Sequence, residues 1–259
     1  MTRTDASPSR HALVTGGGSG IGEAIALALV AAGMRVTIVG RRLEVLQAVA
    51  APYPDGMHAV QADVADAASV AAAFVAAKAR FGPVEVLVNN AGQAHSAPFA
   101  KTDAALWQQM LAVNLTGTFH CTQAALPDMV AARWGRVVNV VSTAGLVGYA
   151  YVAAYCAAKH GVVGLTRSLA MEYAKKGVTV NAVCPGYTET DILRDSIANV
   201  MAKTGRTEEQ ARAEFASGNP QGRIVQPAEV ADTVRWLCGD GASAMTGQAI
   251  AVSGGEVMH

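Results

Sequence analysis

The apolar run 11–15 ends in Thr15-Gly-Gly-Gly-Ser-Gly-Ile-Gly22, which opens an alanine-rich stretch. A strand closed by such a turn at the start of a helix leaves few folds open to the chain. Gly16 and Gly20 can take positive φ and bring bare backbone close to a ligand. Gly22 removes the side chain that would separate helix from sheet. Free amides at the helix start, reinforced by the helix dipole, suit a phosphate-bearing anion. Gly16, Ser19, Gly20, Ile21 and Gly22 are therefore candidate contacts for the pyrophosphate of a dinucleotide.

The rest of the chain repeats the strand-then-helix rhythm. Short aliphatic runs at 11–15, 35–39, 57–61, 84–88, 136–141, 178–183 and 248–252 read as seven strands. Helical patterns at 20–32, 67–80, 103–130, 153–174 and 227–238 lie between them, with Gly33, Gly82 and Gly177 as stop signals. Such alternation predicts right-handed crossovers and a parallel sheet covered on both faces. The expected class is α/β: a single-domain Rossmann fold with a doubly wound parallel sheet of about seven strands. Residues 1–10 read as a disordered lead and 11–259 as the folded domain. The long polar connection 187–221 is expected to cover a substrate.

Twenty basic residues balance twenty acidic ones, which leaves no electrostatic footprint for nucleic acid or an anionic membrane. No apolar run approaches the roughly 20 residues that span a bilayer. Cys121, Cys156, Cys184 and Cys238 are widely spaced with no metal-ligand clustering. They read as reduced thiols of a cytoplasmic protein with no metal site.

Tyr155-Cys-Ala-Ala-Lys159 places a phenol and an ammonium four residues apart, on one face of a helix. A nearby ammonium favours the phenolate, so the pair suits acid/base work. Ser142 stands at the end of the fifth strand, where ligands bind in parallel sheets. Together with Asn89-Asn-Ala-Gly92, Asn114 and Pro185-Gly186, these motifs resemble the short-chain dehydrogenase/reductase family from Leu13 to Gly255, and within it the 3-oxoacyl-thioester reductases.

The resemblance implies Tyr155 as the proton donor and acceptor, with Ser142 holding the substrate oxygen. Lys159 would also hold the nicotinamide ribose, and Asn114 would stabilise a backbone irregularity and a water leading to Lys159. Asp63 and Val64 would hold the adenine ring. Asn90, Ala91 and Gly92 would line the cofactor side of the strand ends. Pro185, Gly186, Thr188 and Thr190 would flank the nicotinamide, the last two holding its carboxamide. The family likeness also suggests a homotetramer, to which the alanine-rich faces of the 103–130 and 153–174 helices would contribute.

Gly40 stands where NAD-binding folds place an acidic residue at the end of the second strand, and Arg41-Arg42 follow it. With no carboxylate to repel a 2′-phosphate and an arginine to receive one, the sequence predicts NADP(H) over NAD(H). His95 and Tyr149 are candidate substrate contacts, with Gln93, Ala144 and Tyr151 as pocket neighbours. Ile192, Leu193, Ile197 and Val200 are either apolar contacts of the cover or the core side of an amphipathic helix. The expected activity interconverts a small-molecule ketone and a secondary alcohol, the ketone being a 3-oxoacyl thioester or a cyclic ketone. The alternatives are a dinucleotide-sensing protein with weak or no chemistry and an NAD-dependent alcohol dehydrogenase of the same fold.

Overall fold

The computed structural model describes residues 9–258. Seven parallel strands form one sheet in the order β3-β2-β1-β4-β5-β6-β7. They are β1 (His11–Thr15), β2 (Arg35–Gly40), β3 (Met57–Gln61), β4 (Val86–Asn89), β5 (Gly135–Val140), β6 (Val178–Pro185) and β7 (Ala249–Val252). All seven expected strands are present, with ends displaced by at most two residues.

Period-two alternation sends successive side chains into two cores. Ala12, Val14, Val36, Ile38, Val86 and Val88 face one core, completed by Ile25 and Leu29 of α1 (Gly20–Ala31) and by Val230, Val234 and Leu237 further along the chain. Leu13, Val39, Leu87 and Val137 face the other, with Val70, Ala73 and Ala77. These last three come from α3 (Ala67–Phe81), while α2 (Leu43–Ala50) packs Leu46 into the first core. The four central strands β1, β4, β5 and β6 are buried along their whole length. Such burial explains their near-continuous apolar composition.

One expected helix is three elements. The 103–130 pattern divides into α4 (Ala104–Leu111), a π-helical turn (Ala112–Thr116) and α5 (Gly117–Ala132). Asn114 accounts for the break, since its Nδ2 donates to the Met110 carbonyl at 3.0 Å. That carbonyl is the acceptor that the Asn114 backbone amide would use in a regular helix. Next come α6 (Ala153–Tyr173), α7 (Asp191–Thr204), α8 (Glu208–Ala216) and α9 (Pro227–Cys238). Val230, Val234 and Leu237 belong to α9, against which α1 packs.

The connection after β6 thus contains two helices, and Arg212 of α8 makes a bidentate pair with Glu189, just before α7, at 2.7 and 2.9 Å. Leu193, Ile197 and Ala211 form a small core of their own, with Val200 against it. These are the inner side of the cover; Ile192 alone of the four apolar residues lines the adjoining cavity.

The expected disordered lead 1–10 lies outside the described residues up to position 8. Ser9 and Arg10 differ from that expectation. Ser9 Oγ donates to the Gly33 carbonyl at 2.8 Å, and Arg10 pairs with Glu85 at 3.0 Å while stacking on Trp134.

Candidate functional site

The chain runs outward from β1 through β2 to β3, then returns to β4 beside β1. The carboxyl ends of β1 and β4 therefore open a crevice at the switch point, where ligands bind in such sheets. Gly16 has φ +67°, and a Cβ there would lie 2.8 Å from Asn90 Nδ2 and 3.0 Å from Ala91 Cα. At Gly22 a Cβ would stand 2.1 Å from the Gly16 carbonyl oxygen. Neither position admits another residue without moving the turn.

Thr15 and Asn90 tie the two strand ends together. Thr15 Oγ1 accepts from the amides of Asn90 and Ala91, each at 3.0 Å. Asn90 Nδ2 returns a bond to the Thr15 carbonyl at 3.0 Å. Asn90 thus shapes the turn from below, and Thr15 is a shaping residue that the motif spacing did not reveal. Ser19 precedes α1 and makes no side-chain capping bond. The amides of the first helical turn, which have no acceptor within the helix, are left to an incoming anion.

A cavity of about 520 Å³ runs along this edge. One end is walled by Gly40, Arg41, Arg42, Asp63 and Val64, the middle by the glycine turn and Asn90–Gly92, and the far end by Asn114, Tyr155 and Lys159. Val45 and Leu46 of α2, together with Val113, add apolar walls. Thr190, Asp191 and Ile192 lean over it from the cover. Asp63 both lines the cavity and stabilises its own turn, Oδ1 accepting from the Ala65 amide at 2.9 Å. Arg41 and Arg42 are exposed and belong to no ion pair among the described residues. An extended cleft with an anion cradle at its centre and free guanidinium groups at one end fits a dinucleotide carrying an extra phosphate.

At the far end, Lys159 is buried and Nζ donates to the Val140 carbonyl at 3.0 Å. The same Nζ lies 5.6 Å from the centroid of the Tyr155 ring. Burial pushes the Lys159 ammonium down to about 8. Tyr155 moves the other way, and burial pushes its phenol up to about 12, opposed by a hydrogen bond with Ser142. The sequence predicts a phenol acidified by Lys159; in the structure desolvation raises it, and the opposing group is Ser142. The ammonium gives one of its three N–H donors to a backbone carbonyl and lies 5.6 Å from the ring centroid. Ser142 Oγ also accepts from the Ala144 amide at 3.1 Å.

Asn114 is buried with its amide fully used. Nδ2 donates to the carbonyls of Met110 and Gln93, both at 3.0 Å, and Oδ1 accepts from the Gln93 amide at 3.2 Å. A Cβ on Gly92 would come 2.9 Å from Asn114 Oδ1. The π-turn thereby clamps the segment after β4 beside Lys159.

Other expected contacts lie apart from the cavity. His95 is exposed and outside its wall. Tyr149 is turned away to Glu256 and Thr143, and Tyr151 is exposed. Ser142 hydrogen-bonds Tyr155 and is not part of the cavity wall. Pro185 and Gly186 end β6 just beyond it. Thr188 is buried outside the wall, its hydroxyl donating to the Gly186 carbonyl at 2.9 Å while its backbone bridges to Val225. Thr190 does reach the glycine turn, 3.1 Å from where a Gly20 Cβ would stand.

A doubly wound sheet with this crevice, and a tyrosine and a lysine at its end, defines an oxidoreductase of the dinucleotide-binding kind. Residues 10–200 match the short chain dehydrogenase family, and the chain belongs to that family, whose members act on CH–OH groups. Among curated relatives, the "monensin polyketide synthase putative ketoacyl reductase" of Streptomyces virginiae is 43% identical over 255 residues. The match covers 96% of this chain and 97% of the relative. A cis-4-hydroxycyclohexanecarboxylate dehydrogenase of Sinomonas cyclohexanicum is 42% identical over 255 residues, covering 97% and 98%. A crystal structure of an actinorhodin polyketide ketoreductase variant with NADPH superposes with TM-score 0.92 at 40% identity, covering 96% of this chain and 97% of that one. No helix among the described residues is long and apolar enough to cross a membrane.

Proposed function

We propose that the chain reduces a ketone to a secondary alcohol, and reverses the reaction, with NADP(H) as hydride partner and Tyr155 as acid and base. The observation that carries this reading is one continuous cavity with Arg41 at one end and the Tyr155–Lys159 pair at the other. NADP(H) supplies the hydride when bound. The first-turn amides of α1 hold its pyrophosphate and Arg41 its 2′-phosphate, with Arg42 beside it. Asp63 and Val64 flank the adenine, and Thr190 the nicotinamide. Lys159 donates to the ribose hydroxyls.

The carbonyl oxygen is placed within reach of Tyr155 and Ser142. With its phenol held up at about 12, Tyr155 is protonated at neutral pH and ready to give its proton to the forming alkoxide. Asn114 fixes the backbone around Lys159. NADPH absorbance with acetoacetyl-CoA and with cyclohexanone-type substrates tests the reading. The relatives' names include a ketoacyl reductase and a cyclic alcohol dehydrogenase, which makes a 3-oxoacyl thioester or a cyclic ketone the substrate to try first. Turnover of neither class would refute it.

The depressed lysine gives a pH signature. kcat/KM for NADPH reports groups of the free enzyme, and Lys159 holds its proton only below about 8. The value is expected to be flat below that pH and to fall about tenfold per unit well above it. A limb near the ordinary lysine value of about 10.4 would contradict the role given to Lys159.

The reading includes a cytoplasmic homotetramer. Ala125, Ala154, Ala158 and Ala170 are buried within the chain itself. Ala104, Ala105 and Ala157 are exposed on the same stretches, with the larger Phe119 and Met171, and these support contact with a second copy. Light scattering at micromolar concentration is expected to give a tetramer mass.

A further inference from the structure

The segment after β7 brings a carboxylate to the end of β6, outside the wall of the dinucleotide cavity. Ser253 is buried, and the glycines Gly254 and Gly255 both take positive φ. This turn carries Glu256 back against the end of β6. Glu256 Oε2 lies 2.7 Å from where a Gly186 Cβ would stand, and its Cγ lies 3.8 Å from the corresponding point on Gly218, at the end of the cover. Glu256 therefore sits where β6, the cover and the loop after β5 converge.

Tyr149 supplies the third side. Its Oη hydrogen-bonds Glu256 Oε1 and lies 2.9 Å from Thr143 Oγ1. A phenol has one proton, and the carboxylate takes it, leaving the Thr143 hydroxyl to donate to Tyr149. Thr143 follows Ser142 directly, so this chain of bonds leads to the residue bonded to Tyr155. Tyr187 closes the group: burial first, and then the Glu256 carboxylate, push its phenol up. No lysine, arginine or histidine among the described residues pairs with Glu256.

We propose that Glu256, held by Tyr149, is a specificity-determining residue that sets a fixed negative charge at the substrate end of the site and selects ketones uncharged at that end over ketones bearing a carboxylate. A carboxylate brought beside an unpaired one meets repulsion that a neutral isostere escapes, and rejection of this kind is as effective for specificity as an added attraction. A substrate hydroxyl, by contrast, can donate to Glu256 Oε2. The proposal rests on the carbonyl-reducing activity proposed above and narrows its substrate class.

Two probes of matched shape test it with the full-length protein and NADPH: 4-oxocyclohexanecarboxylate and its methyl ester. Wild type is expected to prefer the ester by at least about tenfold in kcat/KM, equivalent to about 1.4 kcal/mol. Raising the ionic strength should narrow that margin, because the repulsion is partly screened. Glu256→Gln keeps an acceptor for Tyr149 and removes the charge. It should raise the acid-to-ester ratio at least fivefold. A Glu256 that merely anchors the C-terminal segment would leave the ratio where it was. Turnover of the ester with an unaltered ratio in Glu256→Gln overturns the selection alone. Turnover of neither probe, nor of any other ketone, overturns the carbonyl-reducing reading, and the selection falls with it.

Discussion

Tyr155→Phe is expected to lower kcat for ketone reduction by about 10²–10⁴-fold while leaving the NADPH dissociation constant within a few-fold of wild type. The separation follows from where the hydroxyl sits. Phenylalanine keeps the ring beside which Lys159 lies, and Lys159 Nζ keeps its bond to the Val140 carbonyl. The turn that receives the pyrophosphate is held by Thr15 and Asn90, at the carboxyl ends of β1 and β4. What disappears is the proton source and the partner of Ser142. Stopped-flow reduction and a fluorescence titration of NADPH read the two quantities separately. A variant that keeps a tenth of wild-type kcat would rule out Tyr155 as the acid.

The same phenol gives a direction to the reverse reaction. Burial holds its pKa at about 12, above the ordinary value of about 10. Alcohol oxidation needs the phenolate as base, so its rate should climb with pH across the neutral range, whereas reduction is fully supplied with protonated Tyr155 there.

The strands were legible because alternation and full burial leave little choice. Leu13 between Ala12 and Val14 has to face a different core from its neighbours. The acid/base pair was legible because four residues on a helix return to the same face, whatever surrounds them. The electrostatics were not, because a pKa depends on desolvation and on what else the ammonium holds. Lys159's bond to Val140 comes from a strand 19 residues away in the chain.

The break in the 103–130 helix was legible through the family resemblance, which put a backbone irregularity at Asn114, and not in the local pattern. An asparagine in a helical pattern carries no local mark of which carbonyl it will take, and the Gln93 backbone that accepts its second bond is brought there by the β4 crossover. Tyr149 was placed in the right neighbourhood, at the loop after β5, yet its partner is 107 residues further on. Contacts across the end of the sheet of this sort depend on strand order, which the motifs fix only in outline. Helix α2 was missed although Leu43, Leu46 and Ala50 mark one face at helical spacing. Its eight residues are too short a stretch for helical periodicity to stand out.

Arg41→Ala is expected to weaken NADPH binding by about ten- to a hundredfold and to leave NADH nearly unchanged. The interaction removed is a charge-assisted hydrogen bond to the 2′-phosphate, worth roughly 1.5–3 kcal/mol, and 1.4 kcal/mol is about a factor of ten. The variant should not disturb the loop, because the structural contact of this residue is its backbone: the Arg41 carbonyl accepts from Gln61 Nε2 at 2.8 Å, and alanine keeps that carbonyl. The exposed side chain has no ion pair to lose among the described residues. Gly40 offers the complementary change. A Cβ there would make only ordinary contact with Leu46 Cδ2, at 3.6 Å, so an aspartate can be built at the end of β2 without moving α2. Gly40→Asp combined with Arg41→Ala should then repel the 2′-phosphate and accept from the ribose hydroxyls of NADH, turning the preference over. Isothermal titration of both dinucleotides against the three proteins measures each step. Equal weakening of NADPH and NADH by Arg41→Ala would make the residue a structural one, and the proposed selection for the phosphorylated dinucleotide would fail with it.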